Sequence, residues 1–169
     1  KVPPYDPLTD FTPISFMGDT TFLVVVNPSV PVNSIAELIA YAKANPGKLN
    51  YASANTTGMV STGLLATNNG LDMHHIPYKS EPEAMPDLLS GQVQLMIASY
   101  STSGQHVKAG KLRALSTALP VRSPLLPDVP SITESGQPKF PVGPWGALMG
   151  PANMPKEIVA RLNKETVAI

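Results

Sequence analysis

Cysteine is absent from the 169 residues, which excludes disulfides, a thiol nucleophile and thiolate metal sites. Charge is sparse and balanced. The 12 basic residues match 12 acidic ones and are scattered, so no stripe exists to neutralise phosphates, and nucleic acid is excluded as a partner. Long apolar runs are missing too: the longest, Phe22 to Val26, is far short of the roughly 20 residues a membrane helix needs. The N-terminus shows no basic-then-apolar leader pattern. Histidine occurs only three times, which limits imidazole bases and ligands. Proline is plentiful at 19 residues and concentrates in residues 1–13 and 120–155. A chain of this length buries a real core, enough for about one domain or one domain plus part of another.

Between the proline-rich ends, strand and helix signals alternate. Phe22 to Val26 is a β-branched apolar run closed by Pro28, and Ser34 with Glu37 forms a capping box for a helix with Ile35, Leu38, Ile39 and Ala42 on one face. Asn45-Pro46-Gly47 stops that helix, and residues 49–53 read as a second strand. A helix over 58–69, a strand over 73–77, a helix capped by Ser80 and stopped at Gly91, a strand over 93–98, a short helix over 104–109 and a strand over 112–117 follow. Five strands separated by crossover-length helices predict an α/β fold: an open, largely parallel sheet with helices on both faces. Residues 143–149 look extended, and Pro155 opens a last helix whose apolar face carries Ile158, Val159 and Leu162. That face predicts a packing partner outside this sequence.

Open sheets of this kind bind ligands where strand ends lead into helix N-termini. Three such loops are rich in hydroxyls and poor in carboxylates: Ser53-Ala54-Asn55-Thr56-Thr57-Gly58, then Tyr78-Lys79-Ser80, then Ser99-Tyr100-Ser101-Thr102-Ser103. Free backbone N–H groups and the positive helix end favour an anion there, and Ser, Thr and Asn complete its hydrogen bonds. The same residue types are also ordinary helix caps. Three loops on one sheet edge favour the anion reading, with Ser53, Asn55, Thr56, Thr57, Gly58, Tyr78, Ser99, Tyr100 and Ser101 as the candidate ligand-binding residues.

Catalytic readings are poorer. His74 and His75 adjoin in a strand and point to opposite faces, so they cannot line one site, and the inward one reads as a core residue. His106, with Lys108 and Lys111 nearby, reads as surface. No His-Glu-x-x-His, Gly-x-Ser-x-Gly, Gly-x-Gly-x-x-Gly or Walker-type pattern occurs. Glu81 and Glu83 read as helix-start residues, and Trp145 as core more readily than as a ligand contact. The competing reading is a doubly wound enzyme acting on a small acid or phosphate through Lys79 or His75. The expectation is a non-enzymatic binding protein with no cofactor and no metal.

A set of short motifs then carries a family resemblance. Tyr5-Asp6-Pro7, Asp10-Phe11-Thr12-Pro13, Val26-Asn27-Pro28-Ser29, Asn45-Pro46-Gly47-Lys48-Leu49-Asn50-Tyr51-Ala52-Ser53 and Ile76-Pro77-Tyr78-Lys79 occur in this order. Gly110-Lys111-Leu112-Arg113-Ala114-Leu115, Leu126-Pro127-Asp128-Val129-Pro130 and Pro155-Lys156-Glu157-Ile158-Val159 continue it. Together they resemble the substrate-binding receptors of tripartite tricarboxylate transporters, the Bug receptors. The resemblance implies one lobe of a two-lobed, flytrap-like periplasmic binding protein, which captures a small organic carboxylate and delivers it to a membrane permease. It further implies that residues 1–21 cross from a missing first lobe, that 22–141 form the ligand-binding second lobe, and that 142–169 return to the first. A periplasmic location follows with the leader not present in this chain, as does self-association through faces the missing lobe leaves bare. Many members carry a longer Ser and Gly-rich loop and an Asp-Asn pair after the fourth strand. Ser99-Tyr100 stands there instead, which points to a carboxylate without an amino group.

Overall fold

The computed structural model describes residues 4–140, 143 and 145–168. In chain order it contains β1 (Phe11–Asp19), β2 (Phe22–Val26), α1 (Ile35–Ala44), β3 (Asn50–Ser53), α2 (Thr56–Asn69) and β4 (His74–Pro77). Then come α3 (Glu81–Ser90), β5 (Leu95–Ser99), α4 (Tyr100–Lys108), β6 (Arg113–Thr117), β7 (Trp145–Pro151) and α5 (Lys156–Val167). Two compact units divide the chain, one joining the segment before Thr21 to the segment from Trp145 on, the other taking up what lies between. The boundary expected at residues 141 and 142 lies outside the described residues.

In the middle unit the local signals act as their chemistry dictates. Ser34 Oγ accepts from Glu37 N at 3.1 Å while Glu37 Oε2 accepts from Asn33 N at 2.7 Å, so the acid reaches back past the cap. Gly70 ends α2 with φ 63° and Gly91 ends α3 with φ 82°, conformations an L side chain resists. Ser80 precedes α3 but makes no side-chain cap. α2 starts two residues before the expected helix, at Thr56, and α4 starts at Tyr100 rather than at 104. Tyr100 to Ser103 are weak helix formers, and tertiary hydrogen bonds to Glu81 hold their turn.

Five strands form one sheet in the order β4-β3-β5-β2-β6. β3 is parallel to β4 and β5, whereas β2 runs antiparallel to both β5 and β6. Four strands therefore share one direction, as a largely parallel sheet requires, and β2 opposes them. An all-apolar strand reports burial on both faces, not direction, so its run of buried residues is compatible with either. Alternate residues feed two cores. Val24, Val26, Leu95 and Ile97 pack with Leu38 of α1 and Leu65 of α2, and Leu23, Val25, Met96 and Ala98 with Met85 and Leu88 of α3. Each such fully buried Val or Leu contributes roughly 1.5–3 kcal/mol.

The other unit is thinner. β1 pairs antiparallel with β7, from Phe11 opposite Pro151 to Asp19 opposite Trp145, with register shifts between Pro13 and Ser15 and between Phe16 and Gly18. α5 ties to β1 through Asn163 Nδ2, which donates to Ile14 O at 2.7 Å, yet buries none of its described residues. Trp145 is 60% exposed, so the core role expected for it is corrected: on a two-stranded ribbon it lacks a covering layer.

Candidate functional site

Because β2 is reversed, its first residue lies on the same sheet edge as the ends of β3, β4 and β5, and Phe22 stands opposite Ser99. The N-termini of α2, α3 and α4 open onto that edge. The structure thus brings the sequence-chosen loops together, but it employs their side chains in ways composition does not reveal.

The centre of the edge is Glu81, the first residue of α3, only 9% exposed. Its Oε1 accepts from Asn55 Nδ2 at 2.7 Å. Ser99 N donates to both carboxylate oxygens at 3.1 Å, and Ser99 Oγ donates to Oε2 at 2.6 Å. Thr102 Oγ1 donates to Oε2 as well. Asn55 is occupied at its other end too, since Oδ1 accepts from Gly58 N at 2.8 Å and caps α2. Gly58 suits this turn because a Cβ there would lie 2.8 Å from the carbonyl oxygen of Ile97, so α2 starts close against β5.

Ser53, Asn55, Gly58 and Ser99 are therefore committed to internal bonds, while Thr56 and Thr57 are not. Neither Thr56 N–H nor Thr57 N–H finds an acceptor among the described residues, as expected for the first two helical positions. Beside Thr56 is a shallow hollow of about 260 Å³ lined by Ser53, Asn55, Thr56, Met59, His75 and Tyr78, among others. Tyr78 closes one side; its hydroxyl donates to Asp87 Oδ2 at 2.6 Å. Burial first, then this hydrogen bond and the charge of Asp87, push the Tyr78 phenol up to about 12. Tyr100 turns inward to start α4, its N–H donating to Thr21 O at 2.8 Å, and Ser101 is exposed with Oγ 2.9 Å from Ser99 Oγ. A larger groove of about 800 Å³ lies in the other unit among Phe11, Ile14, Met154, Lys156 and Val159. It is mainly apolar, with Thr9, Thr12, Asn153, Lys156 and Asn163 as its polar lining.

Both histidines of β4 are exposed, which corrects the expectation that one is a core residue: β4 is the outer strand of the sheet. His75 instead stacks on Tyr51, ring centroids 4.9 Å apart, with Nε2 2.6 Å from Ser53 Oγ. Burial raises the Tyr51 phenol above its ordinary value. A hydroxyl beside an imidazole resembles a nucleophile and its base, but Ser53 is only 5% exposed and His75 Nδ1 has no orienting partner among the described residues. Lys79 is exposed and bonds to nothing among them. No group of three His, Asp or Glu side chains among the described residues could hold a metal ion. Sequence reasoning missed Glu81 and Asp87. An acid in a helix's first turn has a sufficient local explanation, and the partners of Glu81 lie in distant loops.

Residues 1–168 match the family described as the tripartite tricarboxylate transporter family receptor. The chain belongs to that family. Among receptor relatives, protein BugT of Bordetella pertussis is 35% identical over 163 residues, 95% of this chain and 50% of that protein. The chain spans about half the length of the curated relatives it matches. A structure from R. palustris, solved with adipate, superposes with a TM-score of 0.90 at 36% identity and covers 97% of this chain and 56% of that one. MatC from Rhodopseudomonas palustris, solved with bound malate, gives 0.86 at 30% identity, over 98% of this chain and 57% of that one. These receptor folds agree with the helix-flanked α/β sheet described above.

Proposed function

We propose that this receptor chain contributes the Thr56–Thr57 edge to a periplasmic binding protein that captures a small organic carboxylate and passes it to a tripartite tricarboxylate-type permease. The observation that carries the reading is the start of α2. Two adjacent N–H groups without acceptors among the described residues, at the positive end of a helix and with Thr56 lining a shallow hollow, form a receptacle for one carboxylate. The adipate and malate bound by the two R. palustris proteins support the same ligand class. In this reading residues 22–141 form the second lobe, and the flanking segments belong to the first. The protein binds and releases its solute unchanged, without cofactor, and the weak geometry of Ser53 and His75 agrees with that.

An amino group on the solute is disfavoured. Glu81 and Asp87, each bonded to a residue that lines the hollow, already accept internal donors, so they offer an ammonium group little. Calorimetric titration of the protein expressed from its complete reading frame tests the reading, with adipate, malate, aspartate and glucose as probes. Adipate or malate should bind and glucose should not, with aspartate weaker than malate. Binding of glucose in the absence of any acid binding overturns the proposal.

A further inference from the structure

A carboxylate as buried as Glu81 ordinarily has a cation beside it, because an unpaired buried charge costs several kcal/mol. Among the described residues no Lys, Arg or His is a partner of this carboxylate. Every recorded donor is neutral: the Asn55 amide, the Ser99 N–H and hydroxyl, and the Thr102 hydroxyl. They come from three segments, the start of α2, the end of β5 and the first turn of α4, while the acceptor comes from a fourth, the start of α3. Neutral hydroxyl, amide and N–H donors converging at helix starts are the groups from which anion sites are made.

We infer that Glu81 is an internal ligand: its carboxylate fills a carboxylate site built by Asn55, Ser99 and Thr102, and thereby positions the starts of α2 and α4. A second consequence rests on the solute reading above. With that corner filled by a negative charge, the solute's carboxylate is kept out of it and directed to Thr56 and Thr57, since like charges at such range repel. Glu81 is thus a positioning residue that selects where on the edge an anion is held.

The test empties the corner and offers a substitute. Glu81→Ala removes the carboxylate and leaves its donors in place, so acetate should refill the vacancy. Thermal unfolding is followed with sodium acetate, with acetamide as the uncharged analogue of similar shape, and with sodium chloride at matched ionic strength. The expected result is a lower Tm for E81A and a saturable rise of about 5 °C or more with acetate alone. The wild type, whose corner is filled, should respond much less to acetate. This control also removes any stabilisation from acetate at the solute edge. Should E81A fail to fold, refolding yield in acetate against acetamide gives the same reading. Glu81→Gln, which keeps the corner filled, should be destabilised yet blind to acetate. An E81A response to acetate no larger than to acetamide or chloride, or no larger than the wild type's, overturns the inference. So does an E81A variant as stable as the wild type. Neither adipate nor malate enters these measurements and the wild-type control cancels acetate held at the solute edge, so their outcome is independent of whether the protein binds those acids.

Discussion

Replacing Asn55 by aspartate, and separately by alanine, divides two roles that one side chain combines. Oδ1 caps α2 through Gly58 N at 2.8 Å, and Nδ2 donates to Glu81 Oε1 at 2.7 Å. Alanine loses both. The cap is worth about 1 kcal/mol, and a hydrogen bond to a charged acceptor about 1.5–3 kcal/mol, so Asn55→Ala should destabilise by about 2.5–4 kcal/mol. For a chain of this size that is a fall in Tm of about 5–15 °C. Aspartate caps helices as well as asparagine does, so a residue that only caps would tolerate it. At this position, however, the second oxygen would face Glu81 Oε1 where a donor now stands, and two carboxylates so close cannot both ionise without penalty. Asn55→Asp should therefore be at least as destabilised as Asn55→Ala at pH 7.5 and recover part of the deficit at pH 5, where a proton can be shared. Urea unfolding at both pH values measures it. An Asn55→Asp protein matching the wild type at pH 7.5 refutes the brace and leaves only the cap.

Gly58→Ala brings a Cβ to 2.8 Å from the Ile97 carbonyl oxygen, a backbone atom, and should destabilise by about 1–3 kcal/mol in urea; an unchanged midpoint would deny the close approach. Tyr78 has its folded pKa raised from 10.0 to about 12, so its share of stability is complete below pH 10 and is lost as pH rises through 12. Absorbance at 295 nm should show a late-ionising phenol that Tyr78→Phe removes, and ionisation of every tyrosine near pH 10 would contradict the assignment. Thr56→Pro removes one of the two N–H groups at the first helical position, where proline is tolerated, and should weaken adipate or malate binding by roughly 1.5–3 kcal/mol while the protein still folds. Equal affinity would move the solute away from α2.

The alternation of strands and helices was legible because its boundaries have local chemistry: Ser34 with Glu37, Asn45-Pro46-Gly47, Gly91. β1 was not. Pro13 and its two register shifts break the period-2 pattern, and a two-stranded ribbon tolerates a proline that a central strand would not. The early start of α4 was equally hidden, because its first turn depends on Glu81, eighteen residues before Ser99 in sequence. At the site, residue type picked out loops that the fold brings to one sheet edge, but did not record which of their side chains bond internally. Asn55 and Ser99 looked like groups for a ligand and are consumed by a carboxylate of the same chain, whereas Thr56 and Thr57 remain available through their backbone, which side-chain identity does not record.

The reversal of β2 also governs the order in which the sheet can form. This strand leaves the ribosome ahead of the other four in its sheet, yet its two partners are β5 and β6, with Phe22 opposite Ser99 and Leu23 opposite Thr117. Loop closure over such separations is slow. Until it happens, Phe22 to Val26 is an uncharged β-branched segment of the kind that pairs with other chains. Asp19 on one side and Pro28 on the other flank it with residues that interrupt such pairing. Hydrogen exchange during refolding should therefore protect β2 only when β5 and β6 become protected. The strand that ends up between β5 and β6 waits longest for its neighbours.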